Sequence, residues 1–164
     1  HKKVNQISDF LKSTAEKYGL KYKVFNREES IKEGLGAFVA VNQGSSHEAA
    51  FTILEYNCGK ENAKTFGLVG KCVLFDTGGI SIKPSANLHY MKSDMGGATA
   101  VIGALITAAE RKTPVNIIAI LPITDNAVAN NAYLPSDVIK AYNGKTIEVL
   151  DTDAEGRMTL AGGL

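Results

Sequence analysis

The chain has 164 residues, 45% hydrophobic and 21% charged, so it is long enough to bury a core and too apolar for a disordered segment. Eighteen basic and 17 acidic residues leave a formal charge of +1, without the basic excess that an electrostatic nucleic-acid binder needs. No run of about 18 apolar residues offers a membrane span. His1-Lys2-Lys3 leads into a polar segment and not an apolar signal core, and His1 reads as a cloning remnant. Cys58 and Cys72 form no C-x-x-C pair, which disfavours a disulfide framework or a cysteine zinc site and points to a reduced, cytoplasmic setting.

The spacing of Ile7, Phe10, Leu11, Thr14, Ala15 and Tyr18 predicts an amphipathic helix over 5–18, capped by Gly19. Residues 20–25 alternate as a strand does. Asn26 suits the cap of a short helix over 27–34. The apolar runs 37–41 and 50–56 read as strands, with a polar turn over 57–64 between the second run and the next strand. Residues 66–75 form a buried strand broken at Gly70-Lys71 and ending in Asp76-Thr77-Gly78-Gly79. A helix over 96–111 follows, stopped by Pro114, and 115–121 suits a central strand covered on both faces. Residues 123–135 read as a long loop. Asn143-Gly144 between 138–142 and 146–150 is a hairpin signal, and 151–157 reads as a charged loop. A helical first turn should begin near Met158. The class is α/β, with a mixed, mostly parallel sheet, helices on both faces and one domain over 1–164.

Three places collect polar groups where strands end. Asp76 closes an apolar strand ahead of two glycines, a position where α/β sheets place ligands and also where a plain Asp turn occurs. Asp94 precedes a helix and fits either a cap or a carboxylate facing the sheet end; Lys83, between them, suits a solvated surface lysine as well. Asp151, Asp153 and Glu155 lie within five residues, and their repulsion invites a hard or borderline divalent cation, although an exposed acidic turn would look the same. Two other motifs fail. The twelfth position of an EF-hand loop begun at Asp151 would be Gly162, and a P-loop around Gly70-Lys71 would have Thr65 for its first glycine and Cys72 for its Ser/Thr.

At these three places the chain resembles the leucyl aminopeptidase (cytosol aminopeptidase) family. The stretches that carry the resemblance are Gly70 to Pro84 (GKCVLFDTGGISIKP), Met91 to Ala98 (MKSDMGGA) and Asp151 to Arg157 (DTDAEGR). The resemblance implies the front part of a zinc-peptidase-like catalytic domain. It implies two divalent metals, zinc, manganese or magnesium, one held by Lys71, Asp76, Asp94 and Glu155 and the other by Asp76, Asp153 and Glu155. It further implies that a metal-bridging water attacks the peptide bond and that Lys83 stabilises the oxyanion. Arg157 would hold a bicarbonate that relays protons, and Met91 would line the pocket for the first side chain. The partners implied are peptides with a free N-terminus and, in the whole protein, further copies in a hexamer.

Four features depart from the family pattern. Cys72 stands for the usual Gly, where it is expected to crowd the site or offer a reactive thiol. Asp151 replaces Asn, and Gly162-Gly163 replaces Asp-Ala. The family's catalytic domain also continues well past residue 164, so the chain reads as a truncated piece of it. The alternative is a metal-binding, catalytically inactive fragment or binding module.

Overall fold

The computed structural model describes residues 2–164; His1, and with it the reading of a cloning remnant, lies outside the described residues. The first helix, α1 (Val4–Tyr18), ends where Gly19 turns left-handed at φ 64° and donates its N–H to the Ala15 carbonyl. Val4, Ile7, Leu11 and Ala15 form its buried stripe. Phe10, expected on that stripe, is 52% exposed; it sits on the rim of the apolar face, against the groove that Met95 and Ile102 also line. Next come β1 (Lys21–Phe25) and α2 (Arg27–Lys32). Asn26 caps α2 through a reciprocal pair of bonds with Glu29.

Residues 37–41 are helical, within α3 (Gly36–Asn42), and not the expected strand. A five-residue apolar run is too short for periodicity to separate the two states. The segment packs against the sheet, a C-terminal helix and a hairpin together, so it is apolar on nearly every side. The main sheet is built from β1, β2 (Ala50–Tyr56), β3 (Thr65–Val69), β4 (Cys72–Asp76) and β5 (Asn116–Asn126). It is mixed: β1–β2 and β2–β5 are antiparallel, whereas β3 and β4 run parallel to β5 along its two halves.

The expected loop over 123–135 begins later than its composition suggests. Ile123 to Asn126 continue β5 because β4 pairs there, with Cys72 opposite Ile123 and Asp76 opposite Asn126. Thr124, Asp125 and Asn126 are polar yet buried, which makes a strand end resemble a loop in sequence.

Helices cover both faces. On one, α1 and α4 (Gly96–Glu110) enclose Leu54, Leu74, Ala119, Leu121 and Ile123; on the other, Phe38 of α3 packs edge-on against Phe51. The hairpin β6 (Val138–Lys140) and β7 (Thr146–Glu148) forms as the Asn-Gly signal indicated. The expected charged loop over 151–157 is instead a 3-10 turn, Thr152–Ala154, leading directly into α5 (Glu155–Leu160). Beyond α5, a Cβ on Gly163 would lie 2.9 Å from Val69 and 3.0 Å from Ile120, so only glycine lets the chain approach the sheet this closely.

Candidate metal centre

The functional side chains come from four segments that the fold brings together at the ends of β4 and β5. Lys71 occupies the break between β3 and β4, where its carbonyl accepts from the Ala98 N–H at the start of α4. Asp76 is the last residue of β4. Asp94 follows the 3-10 turn Leu88–Ser93, just before α4. Asp153 and Glu155 lie where the Thr152–Ala154 turn enters α5.

Two lysines tie these carboxylates into one network. The Lys71 ammonium lies 2.5 Å from Asp94 Oδ2 and 2.7 Å from Glu155 Oε1. The Lys83 ammonium lies 3.0 Å from Asp76 Oδ2 and 2.5 Å from Asp153 Oδ1. Glu155 is fully buried and Asp76 nearly so, whereas the Asp153 side chain is about a third exposed. Gly156 makes room for Lys71: a Cβ there would lie 3.0 Å from its Cδ and Cε. Two ammonium groups against four carboxylates leave a negative excess inside the fold.

The titrations follow from this crowding. Burial pushes Glu155 above the usual carboxylate range; the Lys71 hydrogen bond opposes this, and the Asp76 charge adds to it. Burial alone would lower both lysines. For Lys71, the hydrogen bonds and charges of Asp94 and Glu155 outweigh burial and hold it above its ordinary value. Asp153 and Asp76 do the same for Lys83. Burial raises Tyr133 as well, reinforced by the negative charge of Glu155 and Asp76.

Beneath the carboxylates runs a neutral scaffold that sequence reasoning missed. Asn126 Nδ2 donates to Asp76 Oδ1 at 2.8 Å and to the Thr152 carbonyl at 3.0 Å. Tyr133 donates to the same carbonyl at 2.9 Å. The Thr152 hydroxyl donates to the Gly78 carbonyl at 2.7 Å and accepts from the Ser81 N–H at 2.8 Å; the Ser81 hydroxyl accepts from the Thr152 N–H. The loop that carries Lys83 is thereby stitched to the turn that carries Asp153. Gly78, at φ 87°, lets the chain bend there, and its N–H returns to Asp76 Oδ1. Thr152 lies inside the acidic motif, where only the charged neighbours carry a sequence signal. Asn126 falls in a segment whose composition reads as a loop.

The donor set suits a hard or borderline cation. Oxygens of Asp76, Asp153 and Glu155 lie within 4.8 Å of one another, and Glu155 Oε2 is buried with no hydrogen-bond partner among the described residues. A buried acceptor left unpaired is costly, and a cation would satisfy it. Of the residues singled out in sequence, Lys71, Asp76, Lys83, Asp94, Asp153 and Glu155 therefore meet in one cluster. Met91 is half-buried in the 3-10 turn before Asp94. Arg157 lies exposed on α5 and forms no ion pair with the cluster among the described residues.

One expectation about the departures needs correction. Cys72 does not crowd the cluster: it points into the core beneath α1 and α4, 1% exposed, where burial pushes its thiol up to about 12 and keeps it unreactive. Asp151 caps the turn, its Oδ1 accepting the Asp153 N–H at 2.8 Å.

The sequence model of the cytosol aminopeptidase family, catalytic domain, matches residues 2–164. A probable cytosol aminopeptidase of Rickettsia felis is 47% identical over 146 residues, 89% of this chain and 29% of that protein. A leucyl aminopeptidase of Trypanosoma brucei, solved in complex with bestatin, superimposes with a TM-score of 0.94 at 31% identity, over 98% of this chain and 31% of that one. The bottromycin maturation enzyme BotP, solved in complex with Mn, superimposes with a TM-score of 0.90 at 36% identity, over 98% of this chain and 34% of that one. The chain thus spans about a third of the length of the proteins it matches.

Proposed function

Because this chain belongs to the cytosol aminopeptidase family, we propose that it is the N-terminal portion of the catalytic domain of a metallo-aminopeptidase that releases N-terminal residues such as leucine from peptides. One observation carries the reading: Lys71, Asp76, Asp94, Asp153 and Glu155, from four separate segments, converge on one negatively charged cluster. Lys71, its ammonium proton given up in favour of the cation's charge, would hold one divalent cation together with Asp76, Asp94 and Glu155. Asp76, Asp153 and Glu155 would hold the second, so that Asp76 and Glu155 would serve both. Two bound cations would supply Lewis acidity for water activation and for the scissile carbonyl.

The remaining steps belong to the chain's own side chains. Lys83 is tethered through its backbone N–H to the Thr77 carbonyl at 2.9 Å, and it carries a charged ammonium on a flexible stem. Turned toward substrate, that ammonium donates to the oxyanion of the tetrahedral intermediate. Arg157 presents an exposed guanidinium for a bicarbonate that relays protons. Met91 lines the pocket for the first side chain. The manganese in the BotP complex supports manganese as one of the metals used, beside zinc and magnesium. A cytoplasmic setting accords with the description of the Rickettsia felis relative, and no helix among the described residues is long and apolar enough to cross a membrane. A hexameric whole protein completes the reading.

Hydrolysis of leucine anilide by the manganese-treated chain tests it. The reading expects release of the anilide, loss of release in Asp76→Ala, and none from the N-acetylated compound. Release that survives a chelator or Asp76→Ala, or no release from the free amine, counts against it.

A further inference from the structure

We propose that the Lys83 ammonium and a divalent cation compete for the Asp76–Asp153 carboxylate pair, so that Lys83 lowers the metal affinity of that position. The inference rests on the metal reading above and concerns what this residue does before any peptide arrives.

The geometry is specific to this lysine. Its Nζ contacts one oxygen of Asp76 and one of Asp153, two of the three residues whose carboxylate oxygens lie within 4.8 Å of one another. A cation taking those oxygens would stand beside the ammonium with the same sign of charge and no carboxylate left between them. Like charges at that range repel strongly in a partly buried site. A cation that takes these same two oxygens displaces the ammonium, and its affinity is reduced by the strength of the pair it breaks.

Lys83 is built to leave. Its backbone is held by the Thr77 carbonyl and its loop by the Thr152 stitch, so the Cα stays in place. The side chain is 22% exposed and, among the described residues, its ion pairs are with the two carboxylates alone. Lys71 differs. Its stem lies against Gly156, and its ammonium spans Asp94 and Glu155 on the other side of the cluster.

The test is a manganese titration of chelator-treated protein by calorimetry, on wild type, Lys83→Gln, Lys83→Arg and Lys145→Gln. Lys83→Gln should bind manganese at one position on the order of tenfold more tightly, because the competing charge is gone. Lys83→Arg keeps the cation and should stay near the wild-type affinity. Lys145→Gln removes the same charge from the exposed hairpin and should change nothing. Without metal, the thermal midpoint of Lys83→Gln should fall, since Asp76 and Asp153 then face each other uncompensated, and manganese should raise it by more than in wild type. Manganese binding equal or weaker in Lys83→Gln overturns this inference and leaves the metal reading standing. No binding in any of the four overturns both.

Discussion

Thr152→Val removes one hydroxyl and keeps the shape of the side chain. That hydroxyl joins the Gly78 carbonyl to the Ser81 N–H, so both backbone groups lose their partner at once. Thr152 is fully buried, and the valine methyl that takes the hydroxyl's place bonds to neither group. A typical hydrogen bond contributes about 1 kcal/mol net, and a buried group left unpaired costs about 1–3 kcal/mol. The two losses together give roughly 2–4 kcal/mol. For a chain of this length that corresponds to a fall in thermal midpoint of roughly 4–16 °C. The same substitution frees the Lys83 loop from the Asp153 turn, and loss of such supporting bonds costs about 10–100-fold in metal affinity. Thermal denaturation followed by circular dichroism, with and without manganese, measures both effects. A variant that melts within about 1 °C of wild type and binds manganese equally well would refute the idea that Thr152 holds the two loops in register.

Three further outcomes follow from the same geometry. Lys71 and Lys83 are held above their ordinary value in the folded protein, so their contribution to stability is complete below about pH 10.5 and is lost as pH rises through the folded values. In metal-free denaturant titrations between about pH 9.5 and about pH 11.5, wild type should lose more stability than Lys83→Met; parallel curves would contradict the pairing. Cys72 should resist a thiol reagent in native buffer and react only once denaturant opens the core, and native labelling as fast as that of a small free thiol would argue against its placement. Gly156→Val should push the Lys71 stem aside and weaken manganese binding by at least about tenfold with little change in melting. Unchanged affinity would show that the close approach is not needed.

Much of this arrangement was legible in the sequence, because local chemistry and global fold agree there. Gly19 caps α1, Asn26 and Glu29 cap α2, and Asn143-Gly144 turns the hairpin, each through interactions among near neighbours. The cluster residues were legible because they lie in long blocks of a known family pattern. The errors fell where tertiary contacts decide. Residues 37–41 are helical because three different elements bury them. Thr124, Asp125 and Asn126 belong to a strand because β4 pairs there, although their composition resembles a loop. Asn126 and Tyr133 went unnoticed because each supports the cluster through a bond to a residue far away in sequence.

Equilibrium dialysis of the 164-residue chain against manganese, with the bound metal counted per chain, tests the central claim most directly. The expected result is two manganese ions per chain, and loss of two-metal binding in both Asp76→Ala and Glu155→Ala, because each removes a shared ligand. A chain that binds no manganese, or an Asp76→Ala protein that still holds two ions, would contradict it.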